Sequence, residues 1–489
     1  MGVNSTHSLY STWVDDWGLI ETLLNGERAL KKAGETYLPR LSGQTDEEYT
    51  RYLARGSLFN AAARTLQGLV GAIIRKEADI NVSENVMNIL KDITLARQSI
   101  HEVIRLAVEH ILSYGFYGLL VDMPEGDDPG KVPYIALYQA RDILNWKTEK
   151  IGGEEKIMMV VLKEIVKEAV DEFTSVDTDQ IRVLLLDATT GAYIQRIYRK
   201  VDGTANEEWT QYGADILPKK QGLAMQEIPF VFINASSASP FPSKPPLLDV
   251  ANINVKHWQL STDYFHGLHF CAMPTPWAAG FQVAGSLFIG AEKAWISDDP
   301  NAKCGYLEFT GTGLGALEKA LDKLEKLMAV LGARLLEEQK AGVEAARAIE
   351  LRTSGDSATL VSIVSAVEEG VGKALEFVVQ WIGDTKEPEI EMNRNFVSQK
   401  LTPQEITALL QAVQAGQISQ DTFLYNLQNG EVLPPDRTID EEKKIIESEA
   451  PKQDFTNQGI DEFGNPIKVG KNPQNAGGQN NKGGQGNQE

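Results

Sequence analysis

The residues best suited to chemistry lie in the second half of the chain. His257, His266 and His269 fall on one helical pattern with Cys271 close behind, and imidazole with thiolate suits zinc or a similar cation. His266 and His269 share a helical face. The CxxC and HxxxH pairs that mark zinc sites are missing, so these side chains read as packed or exposed histidines and no metal is expected. Gly311-Thr312-Gly313-Leu314-Gly315 precedes a helix and could offer backbone amides to a phosphate. It is not GxGxxG and no βαβ unit leads into it, so the glycines read as a flexible joint. Gly372-Lys373 fails as a nucleotide loop, because Val367 stands where the leading glycine belongs and Ala374 where Ser or Thr must hold magnesium. Neither a GxSxG elbow, an HExxH pair nor a Cys/His nucleophile pattern occurs, and adjacent acids such as Asp15-Asp16 read as surface charge. The expectation is a protein that is not an enzyme and needs no cofactor.

Charge narrows the function classes. The 489 residues hold 47 Lys and Arg against 68 Asp and Glu, a formal charge of -21. Without a block of clustered cations the chain cannot grip nucleic acid through counterion release, so any contact with DNA is local or weak. At about 150 residues per domain the length suggests about three domains, and 42% hydrophobic residues supply a core and exclude bulk disorder. Cys271 and Cys304 are the only cysteines, so a reducing compartment is expected. The N-terminus lacks the basic flank and apolar run of a signal peptide. Residues 270–291 are uncharged but broken by Pro274, Pro276 and glycines, which reads as strand and loop of a soluble protein made in the cytoplasm, not as a membrane span.

The elements that would position these residues alternate in type. Thr45-Asp46-Glu47-Glu48 forms a capping box, and Tyr49, Tyr52, Leu53, Phe59, Leu66, Val70, Ile73 and Ile74 then recur at helical spacing. A second amphipathic helix spans 99–114 and ends at Gly115. Between 116 and 234 the period drops to two, with turn signals between short runs, predicting one small antiparallel sheet or partial barrel. Residues 236–246, rich in Ser and Pro, mark a boundary. A long helix then leads to Pro274. After a Gly- and aromatic-rich stretch, Leu314, Leu317, Leu321, Leu324, Met328, Leu331 and Leu335 form a heptad-like seam, with charges of alternating sign around it. Further helices are predicted at 356–382 and, behind the Thr402-Pro403-Gln404-Glu405 capping box, from 403. Beyond 450 the composition of Gly, Asn and Gln predicts disorder.

This order of elements resembles the portal proteins of tailed bacteriophages, of the podovirus-type subfamily. The resemblance is carried by Arg64-Thr65-Leu66-Gln67-Gly68-Leu69-Val70-Gly71 in the early helix, and by Pro245-Pro246-Leu247-Leu248-Asp249-Val250-Ala251-Asn252-Ile253-Asn254 continuing to Asp263-Tyr264 and Pro274-Thr275-Pro276-Trp277. Leu401-Thr402-Pro403-Gln404-Glu405 and Gly416-Gln417-Ile418-Ser419 add to it.

The resemblance implies a mainly helical α+β portal fold: a wing at 1–245 with a small SH3-like β insert, stem helices at 246–272 and 316–339, and a clip at 273–315. A tunnel loop at 340–355, a long wing helix and connection at 356–400, a crown at 401–449 and a disordered tail at 450–489 complete it. It implies a dodecameric ring at one capsid vertex, through which double-stranded DNA is packaged and ejected. Implied partners are further copies of the chain, the terminase large subunit, the head-tail adaptor, and the major capsid and scaffolding proteins, with no membrane. The protein would sit in the virion, and in host cytoplasm during assembly. Leu317, Leu321, Leu324, Met328, Leu331 and Leu335 would form the seam between subunits. A conduit for a sliding polyanion needs few cations on its wall, and Lys340, Arg347 and Arg352 are the candidates for sparing DNA contacts, with Glu338, Glu344 and Glu350 as competing salt-bridge partners. The competing functions are another phage head or neck component and a soluble carboxylate-dependent hydrolase.

Overall fold

The first helix lacks the usual capping residue. In the computed structural model α1 spans Ser8–Leu24, well before the Thr45 box, and its N-cap is His7, whose Nδ1 accepts the Leu9 N–H at 3.2 Å. Ser, Thr, Asp or Asn usually stands there. Trp17, Ile20 and Leu23 of α1 are fully buried, so tertiary burial holds a helix that its capping residue does not announce. The description covers residues 2–124, 131–200, 208–220, 222–273, 275–281, 295–307, 311–333, 346–394, 396, 401–430, 432–434 and 437–449. The chain divides into two units, Met1–Val397 and Ser398–Glu489.

α2 (Glu27–Ala33) leads to α3 (Asp46–Arg55), which begins at the capping box with both reciprocal bonds made. The helical pattern read as continuous from Tyr49 to Ile74 is broken: α3 stops at Gly56 and α4 (Ala61–Ile73) restarts with Asn60 as its cap. The Asn60 side chain accepts the Ala63 N–H at 3.1 Å, a local bond that competes with helix continuation. β1 (Asp79–Asn81), α5 (Glu84–Leu90) and α6 (Ile100–Tyr114) follow. Ser99 caps α6, and Gly115 ends it at φ 67°, the left-handed region that a glycine enters without strain.

The β region forms separate sheets instead of the single one expected. β2 (Phe116–Asp122) lies between β3 (Tyr134–Gln139) and β11 (Phe230–Asn234) in a three-stranded antiparallel sheet. All of β2 is buried, because this sheet packs on the helices and belongs to the main core. β4 (Ile143–Ile151), β5 (Glu154–Ala169), β6 (Ser175–Leu186), β7 (Tyr193–Lys200) and β8 (Trp209–Gln211) form a five-stranded meander in sequence order. β9 (Lys219–Lys220) and β10 (Leu223–Ala224) make a small hairpin after it.

A polar network joins the two larger sheets. Arg182 of β6 donates to Glu164 of β5 and to Gln195 of β7, each at 2.7 Å, and Gln195 donates to Asp122 of β2 at 3.1 Å. Tyr138 of β3 donates to Glu164 at 2.5 Å. Burial pushes the Asp122 carboxyl up, against the pull of its hydrogen bonds and of Arg182. Such a network is stable only when its members are mutually satisfied.

α7 (Leu248–Ala272) is followed by the β12 (Thr275–Ala279) and β13 (Lys303–Leu307) pair, then α8 (Leu314–Ala333) and α9 (Ala346–Ile382), 37 residues long. β14 (Glu389–Glu391) pairs with β1 and closes the unit. α9 runs through the middle of the core, with Ile363, Val364, Val367, Val371, Leu375 and Val378 buried. Gly370 lets it approach β11 so closely that a Cβ there would collide with Ile233. The expected loop at 340–355 is in part helix: α9 starts ten residues earlier than the 356 predicted. Ala346, Arg347, Ala348, Glu350, Leu351 and Arg352 are all strong helix formers, which explains the extension.

The second unit holds α10 (Pro403–Gln414), α11 (Gln420–Asn429) and α12 (Ile439–Glu449). The Thr402 box is complete, with Pro403 opening the helix. The predicted disorder beyond 450 lies outside the described residues. The whole is a mixed α+β protein, and among the described residues no helix is long and apolar enough to cross a membrane.

Candidate assembly surface

α7 has two halves of different character. From Leu248 to Thr262 it is built into the core, and its polar side chains there bond to other segments' backbone. Asn254, wholly buried, accepts the Ala62 N–H and donates to the Phe59 carbonyl. Ser261 donates to the Ser57 carbonyl at 3.0 Å and Gln259 to the Tyr37 carbonyl at 2.7 Å. These bonds fix where α7 leaves the core. Asp263 accepts from Tyr52 of α3 at 2.5 Å, and burial with this bond raises the Tyr52 phenol above its ordinary range. Beyond that point α7 emerges, and Phe265 and Phe270 are exposed.

α8 runs back alongside. Gly267 faces Leu314 so closely that a Cβ would stand 2.7 Å from the leucine Cδ2, and further along His257 Nε2 lies 3.2 Å from Glu325 Oε1. Gly332 meets Thr65 of α4 in the same way. At about 100° per residue, Leu314, Glu325 and Gly332 point in nearly one direction, the side that α7 and α4 cover. Leu317, Leu324 and Leu331 lie roughly 60–100° round from it, and Leu327 roughly 140° round. Among the described residues the apolar arc is therefore wider than the face that its own chain covers.

The burial follows this geometry. Met328 is buried, Leu317, Leu321, Leu324 and Leu331 are half-buried, and Leu327 and Val330 are 42% and 45% exposed. Lys319, Lys323 and Lys326 share the face turned away from α7, and with Glu318 and Asp322 they make no salt bridge among the described residues. Leu335 and Lys340 lie outside the described residues. Arg347 and Arg352 fall in the first turns of α9, so of the three candidate DNA contacts these two share a helix and not a loop.

The β12–β13 pair continues the apolar surface. Trp277 covers Gly305 opposite it, while Met273, Ile296, Tyr306 and Leu307 are exposed. Sequence reasoning named Trp277 only within the family resemblance and did not single out Met273, Ile296, Tyr306 or Leu307; the Gly- and aromatic-rich composition of the stretch was the available signal.

The histidines are not brought together as a metal site. His257 meets Glu325, His266 sits edge-on to Tyr52 and near Arg55, and His269 lies beside Phe270. Burial and the Arg55 charge lower the His266 pKa. Among the described residues no group of three or more His, Cys, Asp or Glu could hold a metal ion.

A family described as a domain of unknown function, DUF4055, matches residues 246–382, which span α7, the hairpin, α8 and α9. No curated protein matches the chain significantly. Among solved structures, a chain from the virion of a native gene transfer agent particle is 12% identical, covering 80% of this chain and 96% of that one at a TM-score of 0.35. A chain from the neck of an empty gene transfer agent particle computed with C6 symmetry is 13% identical, covering 79% and 94% at 0.37. One from the neck of the native particle computed with C12 symmetry is 12% identical, covering 79% and 94% at 0.36.

Proposed function

We propose that the chain is a structural subunit of a phage-like head and neck, and within that class a portal subunit. Copies form a dodecameric ring at one capsid vertex, double-stranded DNA passes through the bore, and the terminase large subunit and then the head-tail adaptor dock on the hairpin end. The subunit carries no catalytic residue in this reading.

The observation that supports it is the unfilled apolar arc of α8. Among the described residues, its own chain covers the Leu314 and Gly332 side and leaves Leu327 and Val330 exposed. A neighbouring copy related by rotation would bring a different face of the same helix pair against that edge, which is the heterologous contact that closes rings. The order of sequence segments supports the same reading. An overall charge of -21 suits a bore through which a polyanion must slide without being held.

Electron microscopy of the purified protein tests it. Rings with a central hole, of twelve-fold or neighbouring symmetry, are expected. A monomer at all salt concentrations and at micromolar protein overturns the ring and with it the portal. Rings that bind the capsid but leave DNA packaging unaffected when removed leave only the broader head and neck assignment.

A further inference from the structure

Among the described residues, the five-stranded meander ends in a two-stranded arm. β4 pairs with β5 no further than Leu162, and β7 pairs with β6 no further than Gln180, yet β5 and β6 continue pairing with each other out to Ala169 and Ser175. At the tip the Asp171 carboxylate accepts the Phe173 and Thr174 amides at 2.8 and 2.7 Å, an ordered turn. Phe173 is 92% exposed, and Ile165, Val170 and Val176 are exposed behind it. A two-stranded ribbon gains little stability by itself, and one carrying bare apolar side chains invites pairing.

The other end of the same strand lines a cleft. Lys156, near the start of β5, borders a cavity of about 410 Å³ with Lys220, Leu223, Met225 and Phe377. Among the described residues its one acid is Glu227, and Lys220 is held in place by Gln380 of α9 at 3.0 Å. The arm tip is acidic, with Asp171 and Glu172 directly before Phe173. An apolar floor between two lysines is complementary to a phenylalanine preceded by two carboxylates.

Tip and cleft cannot meet within one chain. They stand at opposite ends of a single strand, roughly 40 Å apart at about 3.3 Å per residue. We propose that the Phe173 arm of one copy inserts into the Lys156–Phe377 cleft of the next copy, locking neighbours together away from the α7–α8 pair. The contact is head-to-tail, so it rests on the ring reading, which supplies a neighbour at both ends of every subunit.

The test uses the full chain with Cys271→Ser and Cys304→Ser, to which Glu172→Cys beside the inserting phenylalanine and Ala224→Cys at the cleft are added, both at exposed positions. A short thiol-reactive bifunctional cross-linker is expected to produce a ladder of covalent oligomers from the double variant and none from either single one. Intact rings by microscopy with no ladder overturn the arm contact and leave the ring standing. A protein that stays monomeric overturns both. A second measurement reads the charges: Asp171→Lys with Glu172→Lys should raise the concentration for half-assembly at least tenfold, and Lys156→Glu with Lys220→Glu should restore it. Unchanged assembly in the first variant overturns the contact.

Discussion

Asn254 holds Phe59 from a helix almost two hundred positions away: its Nδ2 donates to the Phe59 carbonyl at 2.8 Å while its Oδ1 accepts the Ala62 N–H at 3.0 Å. One amide thus gives the Phe59 carbonyl a second donor beside the Ala61 N–H, and gives a partner to an amide in the first turn of α4, one of the N–H groups that a helix start leaves unpaired. The relationship sets the angle at which α7 leaves the core.

Replacing Asn254 by Leu should cost about 1–3 kcal/mol, because the buried Ala62 N–H loses its partner while the Phe59 carbonyl keeps the Ala61 N–H. Urea unfolding of the variant checks this. A loss under half a kcal/mol would show that the Ala62 N–H finds water or another partner, and that the Asn254 bonds do not position α7.

Leu327 separates stability from assembly. It is 42% exposed in the single chain, so Leu327→Asp should change subunit unfolding by about 0.5 kcal/mol or less. The same variant should lower the ring fraction at least tenfold if a neighbour buries this edge. Light scattering after size exclusion, beside thermal unfolding of the subunit, reads both. Full assembly in Leu327→Asp would remove the α8 edge from the interface.

The three candidate DNA contacts should behave as channel residues. Lys340→Ala, Arg347→Ala and Arg352→Ala should leave rings intact and alter packaging rate or DNA retention. Full-head yield unchanged in all three sinks the assignment.

His110 makes stability depend on pH. Its ring stacks on Tyr117 at 4.8 Å between centroids, and its Nδ1 is buried without a hydrogen-bond partner. Burial, with a smaller push from the Arg105 charge, lowers its pKa to about 4. The unfolded value is about 6.5, so between these the unfolded chain takes up a proton that the folded one refuses. Stability from this group is complete above pH 6.5 and falls as pH drops toward 4, by up to about 3 kcal/mol. His110→Phe should flatten that part of the profile. Unfolding free energies at pH 7 and 4.5 for both proteins check it, and identical differences would place the proton elsewhere.

How much was legible in the sequence varies with the range of the interaction involved. The boxes at Thr45 and Thr402, the Ser99 cap and the Gly115 stop are bonds between residues within a few positions, and a single strand of text contains them. The helical break at Gly56–Asn60 was missed because the pattern of apolar spacing runs across it. The local Asn60 cap stabilises the break together with Asn254, which is far along the chain. α1 was missed for the same reason, since Trp17 and Ile20 are held by burial and not by a conventional cap.

The sequence by itself determined the long helices on either side of a β excursion, the acidic surface and the seam on α8, because each is a matter of composition or period. Only the tertiary structure decided which part of that seam is already filled. The answer depends on Gly267 and Gly332, whose missing side chains let α7 and α4 close on one edge of α8 and leave the other bare. It also decided that β5 and β6 outrun their neighbours, since a strand's pairing partners are set by register across the sheet and not by its own residues.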